Sequence, residues 1–349
     1  MIPSYWQPDV QGASLVSIKV GGVIKYVARP RTDKELQETL SVIQELNLPY
    51  RALGGGSDLV LPDEGFAGVL VQPKYTAIEV GEQTTGESTE VVVARYTPEA
   101  HPEFLQPIRS LVDLTDRKCI ELVVGAGVPW GQLVMESLRR ELGGLHFFAR
   151  IPCYVGGAVY NNIHAGTVFF SDYIRKVEAF DPTTATFHMF SQQECQLGYD
   201  QSVFHRNRMI ITRVHLVLPR VNSEESVLLR TSYLDLTKEK TRVQPAGANS
   251  GSTFKNLDAT QLEHSREHSV AAAWYIDQCG LKGMHIGGMQ VYLGHANFII
   301  NTGTGTQADF IALVEQVRVQ VYGRYGFWLQ PEVECMDTQG NLHQWQMNQ

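Results

Sequence analysis

Ser252 stands in the run SGSTFKN, with Gly251 before it and Thr253, Phe254, Lys255 and Asn256 after it. A hydroxyl beside a flexible glycine, followed by an ammonium and an amide, suits giving a proton to an anionic ligand while holding it. The same residue types also make an ordinary turn. No GxSxG elbow surrounds Ser252, so a hydrolase nucleophile would lack its strained turn. As a proton donor, Ser252 needs a substrate that develops carbanion character and groups that stabilise the resulting enolate. Glu332, in QPEVE, can serve as acid or hydrogen-bond partner, although a Glu after Pro331 at the start of a strand is more often a solvated edge.

A second candidate is the glycine run in PYRALGGGSDLVLP, where Gly54, Gly55 and Gly56 follow one strand-like segment and Leu59 to Leu61 begin another. Rossmann loops and P-loops need a helix directly after their glycines, and neither GxGxxG nor GK[ST] is present. What remains is a tight turn or a nest of backbone N–H groups for a pyrophosphate, with Ser57 and Asp58 as side-chain partners. The string from His264 to His268 fits H-x-x-E-H, but its surroundings are polar all round and no downstream carboxylate ligand is evident, so a solvated helix face and no metal are expected.

The elements that must position these residues can be read from periodicity and caps. SIKVGGVIKYV alternates like a strand pair from Ser17 to Val27, and Thr32 with Glu35 caps a helix through Leu46. Residues 81–118 are polar and acidic, predicting an irregular surface excursion. Glu121–Val124 predicts a strand, followed by a GAG turn and a helix from about Pro129 closed by Gly143 and Gly144. The segment from Ala149 to Gly166 is rich in small residues, which lets backbone approach a flat ligand. Strands follow at Lys176–Phe180 and Met209–Leu218, and AAAWYIDQCG reads as a helix ended at Gly280. Thr306 with Asp309 opens a helix whose apolar face is Phe310, Leu313, Val314, Val317 and Val321, ended by Gly323 and Gly326; FWLQPEVECM follows as a strand carrying Glu332.

The chain has 349 residues, 19% of them charged, and a formal net charge of −8. That length suggests two or three domains, and the acidity disfavours nucleic acid or anionic membrane as partners. No signal peptide opens the sequence and no apolar run approaches about 18 residues, so a cytoplasmic protein is expected. Five cysteines without a CxxC pair read as reduced and structural.

Together the glycine loop, IPCYVGGAVYNN, GSTFKN, YIDQCGLKG, HANFIIN and WLQPEV, in this order over nearly the full length, resemble the UDP-N-acetylenolpyruvoylglucosamine reductase family, also called UDP-N-acetylmuramate dehydrogenase. The resemblance implies an α+β protein: two FAD-binding subdomains of vanillyl-alcohol-oxidase type plus a smaller α+β substrate domain. It implies NADPH and a nucleotide sugar as small-molecule partners. The reaction is reduction of an enolpyruvyl ether to a lactyl ether for peptidoglycan precursor synthesis. Hydride reaching the enolpyruvyl group by way of the flavin leaves an enolate, which Ser252 would protonate while Glu332 and a cation stabilise the charge. By the same resemblance Gly54, Gly55, Gly56, Ser57 and Asp58 contact the FAD pyrophosphate, and Pro152, Gly156, Gly157, Asn162 and Ile163 lie on the flavin side. Asn256 and Tyr233 contact substrate, Tyr233 marking the subgroup with an extra segment before the Ser motif. Lys255 is a polariser beside them.

Four positions depart from the family's pattern: Asp58 for Asn, Cys153 and His164 for Gly, and, in GYDQSVF, Asp200 for a catalytic Arg. Arg150 or Arg206 is the expected substitute cation, and Lys240 or Arg242 the expected partner of substrate phosphate. A binding homologue without catalysis and a flavin oxidase of the same fold are the alternatives. The expected division is residues 1–74 with 327–349, then 75–240, then 241–326, in a monomer.

Overall fold

A computed structural model describes residues 2–85, 114, 117–166, 168–265, 267 and 269–345. The architecture is α+β: among the described residues, three sheets of four or five strands and two two-stranded pairs, with helices packed against them. The first sheet orders Trp6–Gln11, Val23–Ala28, Phe66–Val71 and Tyr50–Ala52; the first pair is antiparallel and the rest parallel. Helix Asp33–Glu45 covers it. Thr32 caps that helix as its spacing predicts, its hydroxyl accepting from the Glu35 N–H at 3.2 Å. Leu36, Leu40 and Ile43 are buried in one cluster with Trp6, Val69 and Val71.

The second sheet is antiparallel and orders Thr186–Ser191, Ile174–Asp181, Ile210–Pro219, Lys118–Gly125 and Ile78–Thr85. Helices Trp130–Arg139 and Val155–Tyr160 share its core through Leu133, Val134, Val155 and Ala158. The third sheet, also antiparallel, orders Asn249–Ser252, Phe298–Asn301, Met289–Val291 and His285–Ile286. Helix Gln307–Tyr325 buries the five expected apolar residues in a core that also holds Val10, Ile24 and Leu61 of the N-terminal region. Its capping box is reciprocal, with Asp309 N–H donating to the Thr306 hydroxyl and Thr306 N–H to the Asp309 carboxylate. After it, Glu334–Cys335 pairs in parallel with Leu59–Val60, so the C-terminal segment returns to the glycine loop.

Several elements differ from expectation. The strand Val23–Ala28 takes only the second half of the Ser17–Val27 stretch, because the backbone of Gly21 and Gly22 is bonded to other segments: the Gly22 N–H donates to the Pro62 carbonyl at 2.9 Å, and its carbonyl accepts from the Gly12 N–H at 2.8 Å. Residues 81–85 continue a paired strand, while 86–113 lie outside the described residues. The helix from Trp130 stops at Arg140, before Gly143, where Glu141 turns left-handed at φ 58°. Gly323 lies inside the last helix, which ends at Gly326. Glu332 is not in a regular strand; Pro331 makes an isolated bridge with Phe254, and the strand begins at Glu334.

Candidate active site

The glycine run does connect strand to strand, and it forms one wall of an open cavity of about 420 Å³. Gly54 to Asp58 face Cys153, Tyr154, Gly156, Gly157 and Asn161 across it. The approach is close enough to demand glycine: Gly56 has φ +70°, and a Cβ there would lie 2.2 Å from the Leu15 carbonyl oxygen. At Gly157 a Cβ would meet no atom within 4 Å, so its missing side chain leaves part of the cavity open. Arg51, Arg206 and Arg208 line the same cavity. Backbone without side chains, flanked by guanidinium groups, fits a long cofactor that carries a pyrophosphate.

Asp58, which lines this cavity, belongs to a cluster of carboxyl groups with Asp200, Glu332 and Glu334. Asp58 accepts from the Asn161 amide at 3.0 Å and the Ser57 hydroxyl at 3.4 Å. Burial, helped by Asp200 and Glu334, pushes Asp58 up to about 7. A Cβ on Gly251 would sit 4.0 Å from Asp58 Oδ1, which places the Ser252 segment beside it. Ser17 ties the two together, donating to the carbonyls of both Ser57 and Asn249.

Ser252 is held by pairing with Phe298, and the Thr253 N–H donates to the Asn297 carbonyl at 2.7 Å. On the other side the Glu332 N–H donates to the Thr253 carbonyl at 2.9 Å, and the Lys255 N–H to that of Gln330 at 2.9 Å. Thr253 to Lys255 therefore pair with Gln330 to Glu332, and Ser252 stands immediately before that ladder. Burial and the nearby Asp200 and Asp58 hold the Glu332 carboxyl well above the ordinary carboxylate range, with Lys255 pulling the other way. Burial thus favours the protonated form of Glu332, the form able to donate a hydrogen bond.

The remaining sequence candidates separate into groups. Asn256 lies beside this cluster, its N–H donating to the Tyr199 hydroxyl at 3.3 Å. Pro152, Asn162 and Ile163 do not line the cavity. Asn162 is fully buried and its amide is engaged on both sides, donating to the Gly198 carbonyl and accepting from the Ser171 N–H, so it pins the loops around Asp200. Tyr233 is not brought to Ser252. It lies on helix Ser223–Val243, which packs against Trp130–Arg139, in a separate groove with Met135 and Arg230.

Neither expected substitute arginine reaches Asp200: Arg150 donates to the Thr241 hydroxyl and Arg206 lines the cavity near Arg208. Lys240 is spent on the Ala149 carbonyl and Arg242 pairs with Glu239. Of the H-x-x-E-H string, Arg266 and His268 lie outside the described residues, and no group of three or more metal-ligating side chains occurs among the described ones.

Sequence reasoning missed Asn161, Tyr160 and Glu334. Glu334 accepts from Tyr160 at 3.1 Å and faces Arg51 at 4.0 Å, and its only sequence signal is its place two residues beyond Glu332.

Fold and cavity define an FAD-binding α+β oxidoreductase, and comparison with known proteins agrees. A model described as "FAD binding domain" matches residues 110–189, and one described as "UDP-N-acetylenolpyruvoylglucosamine reductase, C-terminal domain" matches 244–336. The UDP-N-acetylenolpyruvoylglucosamine reductase of Thermotoga maritima is 30% identical, covering 91% of this chain and 94% of its own. That of Solibacter usitatus is 28% identical, covering 90% and 91%. The crystal structure of the enzyme from Thermus caldophilus superposes with a TM-score of 0.66 at 25% identity, over 93% of this chain and 97% of that one. The chain belongs to the UDP-N-acetylenolpyruvoylglucosamine reductase family.

Proposed function

We propose that this protein reduces UDP-N-acetylglucosamine enolpyruvate to UDP-N-acetylmuramate at the expense of NADPH. The observation that carries the reading is the pairing of Thr253 to Lys255 with Gln330 to Glu332 next to Ser252, in a segment that lies beside Asp58, itself a lining residue of the glycine-walled cavity. Bound FAD would supply two-electron transfer between NADPH and the enolpyruvyl carbon. The backbone of Gly54 to Gly56, with Ser57, would hold its pyrophosphate.

The protein's own groups handle the proton and the charge. Ser252 gives its hydroxyl proton to the carbon next to the substrate carboxylate. A hydroxyl is a weak acid, so this needs a strongly basic enolate and donors arranged in advance. Glu332, whose protonated form is favoured by burial, donates to the developing enolate oxygen. Lys255 supplies positive charge, and Asn256 contacts the substrate diphosphate. The division into residues 1–74 with 327–349, 75–240 and 241–326 belongs to this reading, as do a monomeric state and a cytoplasmic location. The free cysteines suit a reducing compartment, and no described helix is long and apolar enough to cross a membrane.

NADPH consumption by the FAD-loaded protein, with and without the enolpyruvyl nucleotide sugar, tests the proposal. We expect consumption that depends on the sugar and yields the lactyl ether. Oxygen-dependent consumption without the sugar would instead identify an oxidase, and none in either case a binding protein.

A further inference from the structure

Asp200 is an unexpected residue for this site. It is 7% exposed, its backbone is left-handed at φ 46°, and its neighbours include Asp58 and Glu332, whose carboxyl groups it pushes up. Burial, backbone strain and like charge all oppose such a placement. Two contacts offset them. On one side the Lys255 ammonium lies 3.3 Å from the Asp200 carbonyl oxygen and 3.9 Å from Oδ2. On the other, His164 Nε2 lies 3.6 Å from Oδ1. The imidazole lies tilted against the rings of Tyr199 at 4.6 Å and Phe169 at 5.3 Å, its own strand partner, which together limit its direction. Oδ2 of Asp200 and Nδ1 of His164 are both buried without a hydrogen-bond partner, so neither contact exhausts the pair.

We propose that Asp200 is a positioning residue which, with His164 behind it, clamps the Lys255 ammonium, and that Lys255 is thereby the cation for the substrate's carboxylate. Lys255 is suited to this. Its side chain is 25% exposed, its ammonium is anchored on the Asp200 carbonyl, and its charge reaches Glu332, Glu334 and His205. A long lysine stem without an anchor has many rotamers, and fixing it in advance makes its charge available without reorganisation. The clamp also predicts the sign of an obvious substitution. An arginine at 200 would face Lys255 at the distance where Asp200 attracts it, so Asp200→Arg displaces the ammonium.

The inference rests on the proposed reductase function, and its test separates the two. In the FAD-loaded protein, Asp200→Asn should lower kcat about tenfold or more, the scale of removing the opposite charge that lies 3.9 Å from the ammonium, with FAD content and melting temperature retained. Asp200→Glu should recover part of the loss. Asp200→Arg should be worse than Asp200→Asn, and Asp200→Asn should add nothing in a Lys255→Met background, because Asp200 acts through Lys255. Additive losses, or Asp200→Arg turnover at the wild-type level, would overturn the proposal.

An independent readout is the ring resonance of His164 in the ligand-free protein. The imidazole faces the Asp200 carboxylate, with Lys255 on the far side of Asp200 and the rings of Tyr199 and Phe169 around it. At one fixed pH, Asp200→Asn should move that resonance, and Lys255→Met should move it too, because the ammonium holds the carboxylate that faces the ring. A resonance that Lys255→Met leaves in place overturns the clamp. If the wild-type protein lacks turnover, the functional reading falls and this measurement alone decides the role of Asp200.

Discussion

Replacing Asp58 by Asn should change how the stability of the flavin-free protein responds to pH. Burial is the main reason that this carboxyl titrates at about 7 in the folded protein, against an ordinary 3.8, with Asp200 and Glu334 adding to it. The folded value lies above the unfolded one, so the folded state binds the proton more tightly. Below the unfolded value both states are protonated and Asp58 has no effect. As pH rises the unfolded chain releases its proton first and folding loses stability, until the folded form also ionises near 7. At 1.36 kcal/mol per pH unit the full window amounts to about 4 kcal/mol, of which about 2–3 kcal/mol falls between about pH 5 and pH 8. Asn keeps the shape, still accepts from Asn161 and cannot ionise. Its advantage over the wild type should therefore grow by about 2–3 kcal/mol across that range. Neutralising Asp58 also eases Glu332, which acts in the same direction. Urea unfolding of both flavin-free proteins at the two pH values measures the difference, with the m-value checked for constancy. An advantage of equal size at both would refute the account of Asp58 as a desolvated acid.

Ser252→Ala should lower turnover by about 10²–10⁴-fold while FAD absorbance per protein is retained; steady-state kinetics at the wild-type rate would remove Ser252 from proton transfer. Gly157→Ala should melt like the wild type and bind FAD more weakly, because its Cβ meets no protein atom within 4 Å and enters the cavity. Gly56→Ala should lower the melting temperature itself, since its φ of +70° and the Leu15 carbonyl leave no room. Thr306→Ala should cost about 1 kcal/mol by denaturant titration without altering flavin affinity, because it removes one half of a helix cap.

Much of the fold was legible because its signals are local. Thr32 with Glu35 and Thr306 with Asp309 cap their helices by hydrogen bonds that span three residues, and the apolar face from Phe310 to Val321 needs only a helical period. The glycine run was readable as a strand-to-strand loop for the same reason. Misreadings fell where a distant segment decides the outcome. The Gly22 backbone is bonded to Pro62 and Gly12 instead of a hairpin partner, and Pro331, before Glu334, bridges to Phe254. Tyr233 and Asn162 carried motif signals, yet one packs between two helices and the other pins loops with its amide.

The sequence by itself determined which chemical groups this protein carries and which of them sit on turns and caps: the hydroxyl of Ser252, the ammonium of Lys255, the carboxyl groups of Asp58, Asp200 and Glu332. Only the tertiary structure decided what those groups are. Asp200 meets Lys255 and His164 although 55 and 36 positions separate them, and Glu332 joins the ladder of Thr253 from the far end of the chain. Whether a carboxyl is an anion or a neutral donor depends on the water removed from it and the charges left beside it. Both are properties of packing between distant segments, so no local pattern of residues encodes them.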